Sequence, residues 1–159
     1  MKKRLKDKKG MTLTELLVTI VIFSLVTAAV STMLISMLRV YQRANDFAEY
    51  NSLIDSTANP IVSDLQESTA KPELTDSGSK ITIIVDSAKI EYSVNEEGVL
   101  LKNKSPVLVK GYYKGKSVEI ACTSSDSGKE YTLTVTVFSD SGTAVSRDYT
   151  VRPLVLNQN

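Results

Sequence analysis

The sequence predicts an α+β protein: a long N-terminal helix, membrane-spanning in its first half, packed against a C-terminal antiparallel β-sheet. Three observations carry this expectation. From Leu16 to Leu38 the chain runs without a charge, glycine or proline, and Arg39 ends the run. Beyond it, Val40, Ala44, Phe47, Ile54, Ala58, Val62 and Leu65 recur at intervals of three, four or seven, the spacing of one helix face. From "KPELTDSGSK" onward the apolar period changes to two, as in half-buried antiparallel strands.

The first element is the apolar run. At 1.5 Å of rise per residue, its length crosses a hydrocarbon core of roughly 30 Å with some tilt. A buried soluble helix so apolar would need a core around its whole circumference, which the rest of a 159-residue chain can hardly supply. Basic residues precede the run. Lys2, Lys3, Arg4, Lys6, Lys8 and Lys9 face the single acid Asp7, which predicts a cytoplasmic N-terminus and an external remainder. A secretory signal has a shorter apolar region of about 7–15 residues and a small-residue cleavage site after it. Here the run is followed by the charged, bulky "SMLRVYQR", so a protease needing a small residue finds it before the run, at Gly10.

"KKG|MTLTELLVTIVIFSLV" resembles the N-terminus of type IV pilins and of the related pseudopilins of type II secretion and competence systems. The resemblance covers about the first 40 residues. It implies cleavage by a prepilin peptidase between Gly10 and Met11, methylation of the new amine on Met11, and an assembly role for Glu15, the fifth residue of the processed chain. It also implies partners: other pilin subunits, the peptidase, a membrane assembly platform, and membrane lipid before assembly. Where many pilins carry a glycine and a proline, this chain has Ser24 and Thr32, and it starts its processed form with methionine rather than phenylalanine. Those differences imply an uninterrupted helix and fit a minor pilin or pseudopilin.

Glu15 raises an energetic question. A carboxylate inside a bilayer costs about 2.5–3.5 kcal/mol, whereas its favourable interaction with the helix macrodipole is worth about 0.3–1 kcal/mol. The resemblance supplies the difference: the Met11 amine of a neighbouring subunit pairs with Glu15 in a filament, in competition with the amine of its own chain at i,i+4 spacing. Ser24, Thr27, Ser31, Thr32 and Ser36 are expected to bond their own helix backbone, with close helix packing as the alternative.

The helix is expected from about Thr12 to about Ala58. Asn59 and Pro60 then mark either a kink or the cap and first-turn proline of a short second helix reaching Glu67. Strands follow at "KITIIV", "AKIEYSV", "GVLLK", "PVLVK", "SVEIAC", "EYTLTVTVF" and "AVSRDYTVRPLVL", forming one meandering sheet, with hairpin turns at "NEEG" and "SDSG". The resulting organisation is a basic leader at 1–10, a transmembrane and filament-core helix at 11–38, an amphipathic continuation at 39–69 and a globular β-rich domain at 70–159.

Composition excludes several chemistries. The chain has no histidine and one cysteine, Cys122, so Ser/His/Asp and Cys/His nucleophilic sites and an internal disulfide are ruled out. The expectation is no enzyme, no cofactor and no metal. Six of the 19 basic residues but one of the 18 acidic residues lie in the first nine positions; the remainder is net acidic and lacks a general nucleic-acid surface. Three DSG triplets, at Asp76, Asp126 and Asp140, read as turns rather than calcium ligands. The segment "KGYYKGK" at Lys110 places Tyr112 and Tyr113 among lysines; it reads as a strand end or hairpin with edge-protecting lysines, nucleic acid being a minor candidate partner for a competence-type role. Cys122 shares the phase of Val118 and Ile120 and reads as a core residue. Two functions follow: a structural subunit processed and assembled into a pilus or secretion-like filament, or a single-pass anchored β-domain that binds an external ligand without polymerising.

Overall fold

The computed structural model describes residues 11–125, 128–140 and 142–154. The chain divides into two compact units, Met1–Asp46 and Phe47–Asn159. A single helix, α1 (Leu13–Gln66), runs through the first unit and opens the second. Antiparallel sheets follow it, giving the α+β layout that the change of period predicts.

In the first unit every side chain of α1 is exposed, including the whole apolar run. Within the second unit one face of the helix is buried: Tyr50, Leu53, Ile54, Thr57, Ala58, Ile61 and Leu65. The predicted stripe is therefore displaced. Ile54, Ala58 and Leu65 are core residues and Val62 packs against them, but Val40, Ala44 and Phe47 are exposed. Asn51, partly exposed beside this face, accepts a hydrogen bond from Arg147 Nη2 at 2.6 Å.

α1 continues through Pro60, past the expected end near Ala58, so no separate second helix begins there. Proline inside a helix costs about 3 kcal/mol through the lost donor and the ring clash with the preceding turn. Ile61, directly after the proline, and Leu65, about a turn further on, are both fully buried, and each such side chain stabilises by about 1.5–3 kcal/mol. Packing beyond the proline therefore outweighs its cost. The helix stops after Gln66, whose carbonyl accepts the backbone N–H of Leu154 at 2.9 Å, so a distant segment satisfies an otherwise orphaned acceptor.

The strands are β1 (Glu73–Thr75), β2 (Lys80–Val85), β3 (Ala88–Val94), β4 (Leu100–Lys102), β5 (Ser105–Pro106), β6 (Ser117–Ser124), β7 (Tyr131–Phe138) and β8 (Ala144–Val151), with a four-residue helix α2 (Lys110–Tyr113) between β5 and β6. They form two sheets rather than one, ordered β1-β2-β3-β4-β5 and β6-β7-β8, every pairing antiparallel. The division arises at "PVLVK". Pro106 is the last residue of β5, and one further bond, from the Val107 N–H to the Leu100 carbonyl at 3.0 Å, closes the pairing. Val107 and Leu108 then turn onto the core and the chain coils into α2.

Alternation sets the core. Tyr131, Leu133, Val135 and Val137 of β7 are buried, and β6 sets Val118, Ile120 and Cys122 opposite Val137, Val135 and Leu133. Asn95 shapes the "NEEG" turn by accepting the N–H groups of Glu97 and Val99 on its side-chain oxygen. Two further hairpins carry no glycine: Asp86–Ser87 and Asn103–Lys104 all have positive φ, as the twist-matched two-residue turns require.

Gly78 closes a 3-10 turn, Asp76–Gly78, against β6. Its φ is +89°, and a Cβ there would lie 2.2 Å from the Cys122 carbonyl oxygen. Gly142 also has positive φ, +79°, but nothing stands within 4 Å of its Cβ direction. Gly78→Ala is therefore expected to lower stability by well over 1 kcal/mol and Gly142→Ala by less. Urea denaturation of the full chain in detergent checks the order of the two.

Candidate functional site

The N-terminal constellation is built on the first turn of α1. Gly10 lies outside the described residues, and Met11 is exposed. Glu15 is held by Thr12: its Oε2 accepts the Thr12 backbone N–H at 2.9 Å and the Thr12 hydroxyl at 3.0 Å, while the Glu15 backbone N–H donates back to Thr12 Oγ1 at 3.2 Å. This is a reciprocal capping box, which satisfies donors that the helix itself leaves unpaired. Leu16 N–H completes the turn on the Thr12 carbonyl. Both bonds place the carboxylate against donors of its own turn, so it is not a lone charge on the helix surface. Thr12 is thus the partner that the sequence reading overlooked, although its signal, T-x-x-E ahead of an apolar run, stands in the sequence.

Along the apolar run, each hydroxyl bonds a carbonyl of its own helix. Thr19 donates to Glu15, Ser24 to Val21, Thr27 to Phe23, Ser31 to Thr27, Thr32 to Ala29 and Ser36 to Thr32, at 2.7–3.0 Å. A helix surface with every hydroxyl internally satisfied suits an apolar medium, where an unpaired polar group costs several kcal/mol. The segment's mean hydropathy reaches 2.4, and α1 is long and apolar enough to cross a membrane.

The "KGYYKGK" segment is a helical turn, which corrects its reading as a strand end or hairpin. Lys114 Nζ and Lys116 Nζ grip Glu49 at 2.7 and 2.9 Å, and Lys110 pairs with Glu97 at 2.8 Å. The lysine side chains therefore pair with carboxylates of the same unit. Tyr112 OH bonds Ser52 and Ser56 on α1, while Tyr113 is buried and its hydroxyl accepts the Leu100 N–H at 3.0 Å. Lys114 and then Lys116 hold the Glu49 carboxyl at about 2, well below the ordinary range.

The remaining candidates divide. Asp76 begins the 3-10 turn against β6; Asp126 lies outside the described residues; the Asp140 carboxylate sits beside Gly115. Cys122 is buried, and burial raises its thiol to about 11, as befits a core side chain rather than a nucleophile. Among the described residues, no three His, Cys, Asp or Glu side chains converge as a metal site.

Residues 5–31 match the family model of the prokaryotic N-terminal methylation motif, which is the type IV pilin-like prepilin motif. No curated protein and no solved structure gives a match to the chain. The motif supports a prepilin-processed, type IV pilin-like protein, a structural subunit whose partners are a prepilin peptidase and other pilins. With the long apolar helix it also supports membrane anchoring and a pilus-type surface filament.

Two outcomes follow from the geometry. Thr12→Val removes the two hydroxyl bonds of the cap, leaving the Thr12 backbone N–H on Glu15, and should cost about 1 kcal/mol of local stability, seen as faster amide exchange at Leu13–Leu16 in micelles, with Thr12→Ser close to the parent. For Glu49, a folded value below the ordinary 4.5 means stabilisation that is complete above that pH and lost as pH falls toward 2. Glu49→Gln should therefore flatten the acid-unfolding profile of the full chain between pH 4.5 and 2, leaving neutral-pH cooperativity intact.

Proposed function

We propose that this chain is a minor pilin or pseudopilin, stored in the cytoplasmic membrane and assembled into a type IV pilus or type II secretion-like filament. The observation that carries the reading is the prepilin-type motif at 5–31 merging into a helix whose apolar length, capped start and self-satisfied hydroxyls all suit a bilayer. In this reading residues 1–10 are a cytoplasmic leader and the peptidase cuts between Gly10 and Met11. The Met11 amine is then methylated, 11–38 become the filament core, and 39–69 with 70–159 stand outside the membrane.

Glu15 has two successive partners. In the stored subunit Thr12 holds its carboxylate within the first turn. On docking, the positive Met11 amine of a neighbour approaches the same carboxylate, and a charge-charge contact in a water-poor setting is stronger than a neutral hydroxyl contact. The exchange of partners favours assembly while leaving the monomer free of an unpaired buried charge. A membrane platform that extracts the helix is the implied machinery.

Replacing Gly10 with a bulky residue, Gly10→Trp, tests this. Intact-mass measurement on native membranes is expected to find the unmethylated precursor accumulating with its lysine-rich leader, while the parent chain starts at methylated Met11. A simple anchored domain is indifferent to the change, so an identical N-terminus in both strains overturns the proposal. Glu15→Gln should still be cleaved but be depleted from sheared filaments.

A further inference from the structure

Between the apolar run and the first buried residue of α1, Tyr50, lies a stretch that neither hydrocarbon nor the β-sheets account for. Arg39, Tyr41 and Arg43 are exposed, Tyr41 at 70 %. Among the described residues no hydrogen bond or ion pair involves Arg39 or Arg43. The two arginines stand at i,i+4, so their guanidiniums emerge on one face, one turn apart. Asp46, the next acid along the helix, is likewise exposed and makes no ion pair with them.

Their position has a natural scale. A bilayer of about 40–45 Å with a 30 Å hydrocarbon core leaves roughly 5–8 Å of headgroup on each side, and four residues of helix rise about 6 Å. With Leu38 as the last residue of the uncharged run, Arg39–Arg43 fills that layer. Guanidinium is the side-chain group best shaped for bidentate phosphate binding, and tyrosine prefers the membrane–water boundary. We propose that Arg39, Tyr41 and Arg43 form a lipid-phosphate clasp that fixes the depth of the membrane-stored subunit in the leaflet opposite its basic leader. The proposal rests on the membrane-stored state described above and requires neither cleavage nor polymerisation.

The chain has no tryptophan, so Gln42→Trp installs a single reporter beside the clasp in the full-length protein. It is reconstituted at high lipid-to-protein ratio in phosphatidylcholine–phosphatidylglycerol vesicles whose bromines lie either near the glycerol or at the chain ends, and in phosphate-free galactolipid vesicles with the same two placements. The expected result is stronger quenching by the shallow bromines in phospholipid. That preference is lost in galactolipid and lost in phospholipid when Arg39→Gln and Arg43→Gln are added; Arg39→Lys with Arg43→Lys retains part of it. An unchanged preference in galactolipid or in the glutamine variant overturns the clasp while leaving membrane storage intact. So does a preference that appears only at high protein density, which assigns the arginines to carboxylates of a neighbouring subunit. Failure of the chain to float with any vesicle overturns membrane storage and the clasp together.

Discussion

One backbone has to satisfy two solvents. The hydrogen bonds of α1 are internal from Leu13 to Gln66, which allows the same helix to stand in a medium without water and to serve as the central element of a folded domain. What changes along its length is the side-chain pattern. Up to Leu38 it is apolar on all sides, and from Tyr50 it is apolar on one side. A glycine or second proline in the first part would loosen the ladder where nothing else holds it, whereas Pro60 is tolerated because Ile61 and Leu65 anchor the following turn in the core.

Polar groups along α1 obey the same constraint by different means. In the apolar run they turn inward to their own carbonyls, at the first turn Thr12 and Glu15 satisfy each other, and in the globular unit they reach outward to the sheets. Asp64 accepts the Tyr92 hydroxyl at 2.7 Å and pairs with Lys102 at 2.7 Å; Asp55 takes Arg147 and Tyr149; Glu49 takes Lys114 and Lys116. Burial, then the Asp64 contact, keeps the Tyr92 hydroxyl protonated well above its usual range, so it acts there as a fixed donor. The solvent-side carboxylates of the helix thus act as fasteners for β3, β4, β8 and the α2 loop.

Most of the fold was legible wherever one physical requirement dominated. The alternation Tyr131, Leu133, Val135, Val137 reads as a strand because one face of β7 is fully buried, and Cys122 follows from the phase of β6. Legibility failed where two requirements compete. Val40 and Phe47 match the helical stripe, but burial begins only where the sheets cover the helix, and that boundary is a tertiary fact. "PVLVK" has strand residues throughout, yet Val107 and Leu108 pack on the core and Tyr113 finds a buried place by coiling. At the N-terminus, Gly10, Met11 and Glu15 were visible as a pattern, while the role of Thr12 depends on side-chain directions that follow from the cap.

The bond from Leu154 to the Gln66 carbonyl makes the β-rich region a closed excursion from the helix: it departs and returns at one spot. Between those ends the region rests on the whole Tyr50–Leu65 face, so a differently shaped module can replace it provided that it covers the same face and closes at the same carbonyl. The shaft then remains constant while the surface offered to the outside is free to diverge.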